Sequence, residues 1–266
     1  MQINVTLLVI ISSLYLLSSC TEDEIASNSA GSQTSANNDK EMCKPESIMR
    51  SKVIESESGT FLWGGESEDQ HFDISDFSLD VCKLNYGIGR EHFKALVDPE
   101  FVLLDDMKWP IDSTDKAVVI RRSNGNARVY PYSILRAHET INDLIDGRRV
   151  AVVLCFLADL AVVYDPTYCN QSFTFAVSGY TYLDQNIQGG LESFVLWDRD
   201  TESLWWPIID KAISGPMKGH GMRYSNDLDW EIMRMYEVEK EFPKAEILKR
   251  GQKMEIPVNW PSKSRC

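Results

Sequence analysis

A β-rich α+β domain, a single unit of antiparallel hairpins with two or three short helices, is the fold this sequence predicts, and three observations carry it. The first is a pair of apolar stretches around Asn124-Gly125, a dipeptide suited to the positive φ angles of a type I′ hairpin. The second is the continuous apolar run VAVVL at 150–154, the pattern of a strand covered on both faces. The third is how little helical periodicity the chain holds, with only two segments that read well as helices.

Taken in order, residues 61–80 are polar and irregular and end in FDISDFSL, one or two edge strands. A Gly-containing turn follows at 85–90, then a loop or short helix carrying Trp109-Pro110. AVVI at 117–120 is a strand, and the return strand at 128–132 should end or lie at an edge at Pro131, which cannot donate to a ladder. Ser133 is placed to cap a helix on which His138, Ile134 and Ile141 share a face, broken by Asp146-Gly147. Strands at 150–154 and 161–164 flank a turn. SFTFAVS at 172–178 alternates as a strand closed by Gly179, with Tyr180 and Tyr182 beyond it and a polar insertion at 185–190. Residues 193–197 and 203–206 form a hairpin around Arg199-Asp200-Thr201-Glu202. Ser225 or Asn226 caps a last helix whose core side is Leu228, Ile232 and Met235, and Phe242-Pro243 stops it. Ile247-Leu248 is a closing short strand.

The chain has 266 residues, 43% of them hydrophobic, enough for one sizeable core with appendages. Its net charge of −13 argues against nucleic acid or an anionic membrane surface as the main partner. Residues 1–19 read as a lipoprotein signal peptide. The apolar core at 5–17 is too short for a comfortable membrane span, and Leu17-Ser18-Ser19-Cys20 looks like a lipobox, although the first four residues carry no Lys or Arg. The expectation is a lipidated Cys20 that anchors the protein in the cell envelope. Thr21-Glu22-Asp23-Glu24 resembles the acidic export signal of surface lipoproteins, which points to the outer membrane and its exposed face. Residues 20–58 read as a flexible polar tether with some order near Cys43, and 59–266 as the domain.

With Cys20 lipidated, Cys43, Cys82, Cys155, Cys169 and Cys266 remain, an odd number that leaves at least one thiol free or paired between chains. Cys155 and Cys169 fall at opposite ends of their hairpin, about 13 Å apart at strand rise, too far to bridge. Cys43 with Cys82 is the favoured disulfide.

His138, Glu139, Asp143 and Cys155 form the best candidate site. An imidazole can act as acid, base or ligand near neutral pH, and a thiolate adds a soft ligand suited to a transition metal. The plain alternative is a buried histidine bonded to structural carboxylates, with Cys155 a small core residue. No zinc-type Cys/His array, phosphate loop or Gly-x-Ser-x-Gly elbow is present, and nothing supplies a base beside Ser178-Gly179. The turn from Asp198 to Ser203 reads mainly as hairpin chemistry, with Asp198 and Thr201 bonded to local backbone. Trp197, Trp205 and Trp206 read as core or rim aromatics.

Specific blocks of the chain resemble the bacterial DUF3179 family, a domain of unknown function. They are Ala127-Arg128-Val129-Tyr130-Pro131, His138-Glu139-Thr140-Ile141-Asn142-Asp143, the strand ending at Cys155, Ala161 to Asp165, Phe175 to Gly179 with Tyr182, the block from Trp197 to Trp205, Gly215-Pro216, Trp230 and Phe242-Pro243. The resemblance spans roughly residues 72–248 and implies a shared fold and a pocket, with Tyr130, Asn142, Ser178, Tyr182, Asp198, Arg199 and Trp205 as candidate lining. It implies no reaction. Where the family reads Cys-Pro-Leu-Cys-Gly, this chain has Cys155-Phe156-Leu157-Ala158-Asp159, so the second sulfur that dithiol exchange needs is missing. Residues 185–192 are an insertion relative to the family. Three function classes stay open: an envelope lipoprotein binding a metal or small ligand at His138/Cys155, an enzyme of unassigned chemistry there, and a structural or assembly module using its aromatic surface.

Overall fold

A computed structural model describes residues 43–187 and 189–254; residues 1–42, read from the sequence as signal peptide, lipidation site and start of the tether, lie outside the described residues, as does Cys266. Three five-stranded sheets stack face to face. The first carries Lys116–Arg121, Ala127–Pro131, Trp230–Arg234, Glu246–Leu248 and Phe101–Leu103; the second carries Thr140–Ile145, Arg148–Cys155, Leu160–Asp165, Leu96–Val97 and Arg223–Tyr224; the third carries Phe175–Asp184, Leu191–Asp198, Leu204–Trp206, Lys211–Ser214 and Leu84–Tyr86. Pairing is antiparallel except for Leu96–Val97 on Thr140–Ile145 and Glu246–Leu248 on Ala127–Pro131. The predicted β-rich α+β architecture is the one observed, with three α-helices of four to seven residues.

Alternation along the strand Arg148–Cys155 explains the stack. Val150, Val152 and Leu154 pack against Val118, Ile120 and Tyr130 of the first sheet. Ala151, Val153 and Cys155 pack against Phe175, Leu196 and Trp205 of the third. A strand covered on both sides needs apolar residues at every position, which is what the run at 150–154 supplies. The outer face of the third sheet is covered by a small sheet of Val53–Ser56, Gly59–Leu62 and Phe72–Asp73, through Leu62, Phe72 and Ile74. The outer face of the first is covered by the helix Met235–Glu241, through Met235 and Val238.

Several expectations are corrected. The helix after Pro131 is only Tyr132–Leu135, and the residues expected to continue it form the strand Thr140–Ile145. Ile141 and Ile145 are four apart, a spacing that keeps a common face in a strand as well as in a helix. Asp146-Gly147, read as a helix stop, is the two-residue turn of a hairpin: Ile145 pairs with Arg148, and both turn residues have positive φ (48° and 81°). Ser133 caps nothing with its side chain; its backbone N–H donates to Asp115 (3.0 Å). The Asn124-Gly125 hairpin exists, but only Gly125 has positive φ, and Gly125 N–H closes on Arg122 O (3.0 Å), a turn over Ser123-Asn124 rather than type I′. Residues 230–234, expected in the last helix, are a strand pairing with Lys116–Arg121, and the helix starts at Met235. The helix Pro45–Ser51 and the strand Val53–Ser56 fall within the segment read as tether, so order starts before residue 59.

The cysteines follow the expected arithmetic. Cys43 and Cys82 are bonded, fastening the first helix to the third sheet's edge, Cys169 is also in a disulfide, and Cys155 is the free thiol among the described residues. The bond between Cys43 and Cys82 closes 39 residues of sequence separation.

Gly179 does not close its strand. It sits in a bulge of Phe175–Asp184, between Val177 and Thr181, at φ 83°. Its carbonyl accepts from Gly87 N–H (2.9 Å), and a Cβ there would come within 2.1 Å of the Gly89 backbone. Both conformation and space exclude a side chain. Gly179→Ala should therefore lower stability by about 2–4 kcal/mol in urea unfolding; a loss under about 0.5 kcal/mol would contradict the packing described.

Candidate functional site

The site is built where the short helix gives way to the second sheet. From Arg136 to Glu139 the chain turns tightly: His138 and Glu139 N–H groups both donate to Leu135 O (2.9 and 2.6 Å), and Glu139 takes a left-handed φ of 59°. Glu139 O then accepts from Leu154 N–H (2.8 Å), which locks the turn to the strand that ends at Cys155. A non-glycine residue in this backbone region is held there by its surroundings, and such residues concentrate at functional sites.

Glu139 is 5% exposed, and its carboxylate accepts no hydrogen bond or ion pair among the described residues. Glu91, Asp143 and Asp198, the other buried carboxylates there, all have partners. Burial alone pushes the Glu139 carboxyl up to about 7. The neighbouring Thr140 hydroxyl is likewise buried without a partner. His138 is 8% exposed, and its Nδ1 lies 2.8 Å from Lys94 O. A carbonyl can only accept, so Nδ1 carries the proton and Nε2 keeps its lone pair. Burial lowers the imidazole pKa, which keeps the ring neutral at pH 7.

Cys155 is fully buried. Desolvation pushes its thiol up, the backbone N–H groups of Phe194, Ala158 and Leu157 oppose that rise, and the Glu139 charge adds to it. The turn after Cys155 thus directs two amides, those of Leu157 and Ala158, at the sulfur. Asp159, in the same turn, takes a left-handed φ of 45°. Phe156 and Leu157 project from this turn half-exposed, and Phe93 packs beside Cys155 with its ring edge-on to Phe156, 6.4 Å between centroids.

The remaining candidates make contacts within the fold. Asp143 lies on the opposite face of its strand, where it accepts from Tyr130 Oη (2.6 Å), Arg128 Nη1 (2.9 Å) and Leu144 N–H (2.7 Å). That face points to the first sheet, away from Cys155, because alternate strand residues point oppositely. Asn142 binds the third sheet: Oδ1 accepts from Phe175 N–H and Nδ2 donates to Phe175 O, both at 2.9 Å. Ser178 Oγ donates to Val195 O (2.6 Å) and accepts from Tyr180 N–H (3.2 Å), so it repairs the bulge. Tyr182 meets Trp206 edge to face, 4.6 Å between ring centroids. Asp198 accepts from Thr201 N–H, Thr201 Oγ1 and Trp205 Nε1 (2.5, 2.8 and 2.7 Å), the local hairpin chemistry expected, with its carboxyl raised to about 6 chiefly by burial. Arg199 makes a bidentate pair with the buried Glu91, 108 residues away, a partner that no local pattern announces.

A close group of three metal-type donors among the described residues is Cys43, Asp80 and Cys82. Its sulfurs are joined to each other, and Asp80 caps the Cys82 N–H (2.9 Å), so the oxidised protein offers no thiolate there. His138, Glu139, Asp143 and Cys155 form no such group.

A carboxyl whose pKa is higher folded than unfolded makes the folded chain bind more protons between the two values, so its contribution to stability falls as pH rises through that window. For Glu139 the window runs from about 4.5 to about 7. Glu139→Gln removes this penalty. Relative to the parent protein, the variant should gain on the order of 3 kcal/mol between pH 4 and pH 8 in denaturant unfolding; a difference that stays constant with pH would show that Glu139 is solvated or paired.

Residues 90–257 match the family model described as "Protein of unknown function (DUF3179)", well over half of the chain. The match starts later and ends later than the span of roughly 72–248 expected from the sequence, leaving the small N-terminal sheet and the Cys43–Cys82 bond outside it. No curated protein and no solved structure matches the chain. The motif order, the β-rich stack and the family match agree: this chain belongs to the DUF3179 family.

Proposed function

We propose that this chain is an exported, lipid-anchored protein of the cell envelope whose domain binds a small ligand at the turn joining Glu139 to Cys155. One observation carries the reading: Glu139 is a buried carboxylate with no partner, held in left-handed backbone next to a free thiol. Holding a carboxylate largely out of water carries a desolvation cost, the same cost that raises the Glu139 carboxyl. A ligand that presents an N–H, an ammonium or a hydroxyl to Glu139 would recover that cost, with Phe93 and Phe156 as an apolar rim. The raised Cys155 thiol favours binding over nucleophilic catalysis, since the thiolate is the reactive form. The absence of a sulfur at Ala158 weighs against dithiol exchange at this turn.

A transition metal is the second reading, and the His138 tautomer favours it. Ligating histidines commonly anchor one ring nitrogen on a carbonyl and offer the other, as His138 does through Lys94. A metal would have to draw in donors that do not now form a close trio.

Native mass spectrometry and elemental analysis of protein isolated from the envelope separate these readings. The expected result is a stoichiometric organic adduct on the parent that is lost in Glu139→Gln. A stoichiometric metal lost in both His138→Gln and Cys155→Ser would establish the metal reading instead. Parent protein that carries neither would remove both and leave the assembly-module reading. Cys20→Ala should release the protein from membranes into a soluble extracytoplasmic fraction; continued membrane association would contradict the lipid anchor.

A further inference from the structure

A cavity of about 410 Å³ has Asp159, from the turn after Cys155, in its wall, whereas His138, Glu139 and Cys155 do not line it. It lies between the loop leading into Lys116–Arg121, the helix Tyr132–Leu135 and the segment after the last strand. Its volume falls within the range of small-molecule sites.

Most charges in its wall are already engaged. Lys116 Nζ pairs with Asp159 (2.7 Å), and Arg234 Nη1 donates to Thr114 O (2.6 Å). Asp115 accepts from Ser133 N–H, and Asp112 accepts from both the N–H and the hydroxyl of Thr114. Arg136 and Arg250 are different: both line the cavity, and neither side chain has a hydrogen bond or ion pair among the described residues. Tyr132 is a third uncommitted donor. Its side chain is 3% exposed and lines the cavity, yet its hydroxyl has no hydrogen-bond partner among the described residues. Burial first, and then the charges of Asp159 and Asp115, raise that hydroxyl to about 12, so it is a protonated donor at neutral pH. Trp109, Pro110, Ile111 and Ile134 give the same cavity an apolar wall.

We propose that this cavity is a binding site for a small organic carboxylate with an apolar body. The carboxylate is held by the guanidinium groups of Arg136 and Arg250 with the Tyr132 hydroxyl, and the body lies against Trp109 and Ile111. Planar guanidinium forks match a carboxylate geometrically and stay charged at every physiological pH. The three aspartates in the wall select for a single negative charge, because a dianion would meet them as well. The site is independent of the Glu139–Cys155 reading.

Isothermal titration calorimetry of the full chain at low salt tests the assignment, with sodium benzoate as the probe, benzamide as its neutral counterpart and inorganic phosphate as a body-free anion. Benzoate should saturate one site and bind roughly tenfold or more tightly than benzamide. Arg136→Ala and Arg250→Ala should each weaken benzoate binding by roughly tenfold. Both side chains are exposed, so folding should survive, and circular dichroism checks it. Tyr132→Phe should weaken benzoate binding by a smaller factor while retaining the ring. Equal affinity for benzoate and benzamide, unchanged benzoate affinity in the two arginine variants, or no saturable heat up to about 50 mM would overturn the proposal. Phosphate binding more tightly than benzoate would overturn the organic-acid assignment in favour of an inorganic anion.

Discussion

The enclosure of the second sheet on both faces is the constraint from which the rest follows. A strand such as Arg148–Cys155 can sit between two other sheets only if it has nothing polar to solvate, and its alternating residues supply an apolar surface to each neighbour. The adjacent strand, Thr140–Ile145, is not apolar throughout, so each of its buried polar side chains has to be accounted for. Asp143 is satisfied by Tyr130 and Arg128 of the first sheet, and Asn142 by the Phe175 backbone of the third. These two side chains tie the three sheets together by hydrogen bonds that apolar packing alone would not specify in register. At the end of the strand the accounting stops closing: the Thr140 hydroxyl is buried without a partner, and the Glu139 side chain, 5% exposed, makes no hydrogen bond or ion pair among the described residues.

That failure falls where the backbone is also strained. Glu139 and Asp159 both occupy left-handed conformations, one before the strand Thr140–Ile145 and one after Cys155, and the Glu139 carbonyl joins the two segments by binding Leu154. Two irregular turns, an unpaired carboxylate and a free thiol are thus gathered at one end of the central sheet. The thiol is protonated and shielded, and the turn after it, which holds no second cysteine, faces two amides toward the sulfur. This is an arrangement suited to holding a ligand more than to exchanging disulfides.

The parts of the fold that rest on local chemistry were legible in the sequence. The doubly covered strand could be read from VAVVL, the 198–203 hairpin from its Asp-x-x-Thr turn, and the free thiol from counting cysteines and measuring the Cys155 hairpin. The misreadings have one physical source, patterns that fit two periodicities. Ile141 and Ile145 satisfy a helix face and a strand face alike, and with them went the true meaning of Asp146-Gly147, a hairpin turn rather than a helix stop. In the strand, Asp143 points to the first sheet, on the other side from Cys155. His138, Glu139 and Cys155 share one stretch of the sequence, and the bond from Leu154 N–H to the Glu139 carbonyl brings the last two together. What made Glu139 distinctive, its lack of any partner, depends on every other residue's position and has no local signature. The pairing of Glu91 with Arg199, and the role of Gly179 in letting the Gly89 backbone pass, are equally matters of long-range approach.

The account depends on Glu139 being a buried carboxyl with no protein partner, and its own titration tests that most directly. Following the Glu139 side-chain carboxyl carbon by ¹³C NMR across pH 3 to 9, with assignment by loss of the signal in Glu139→Gln, should give a midpoint near 7. A midpoint at the ordinary glutamate value of about 4.3 would mean that the carboxylate is solvated or paired, and would contradict the site described.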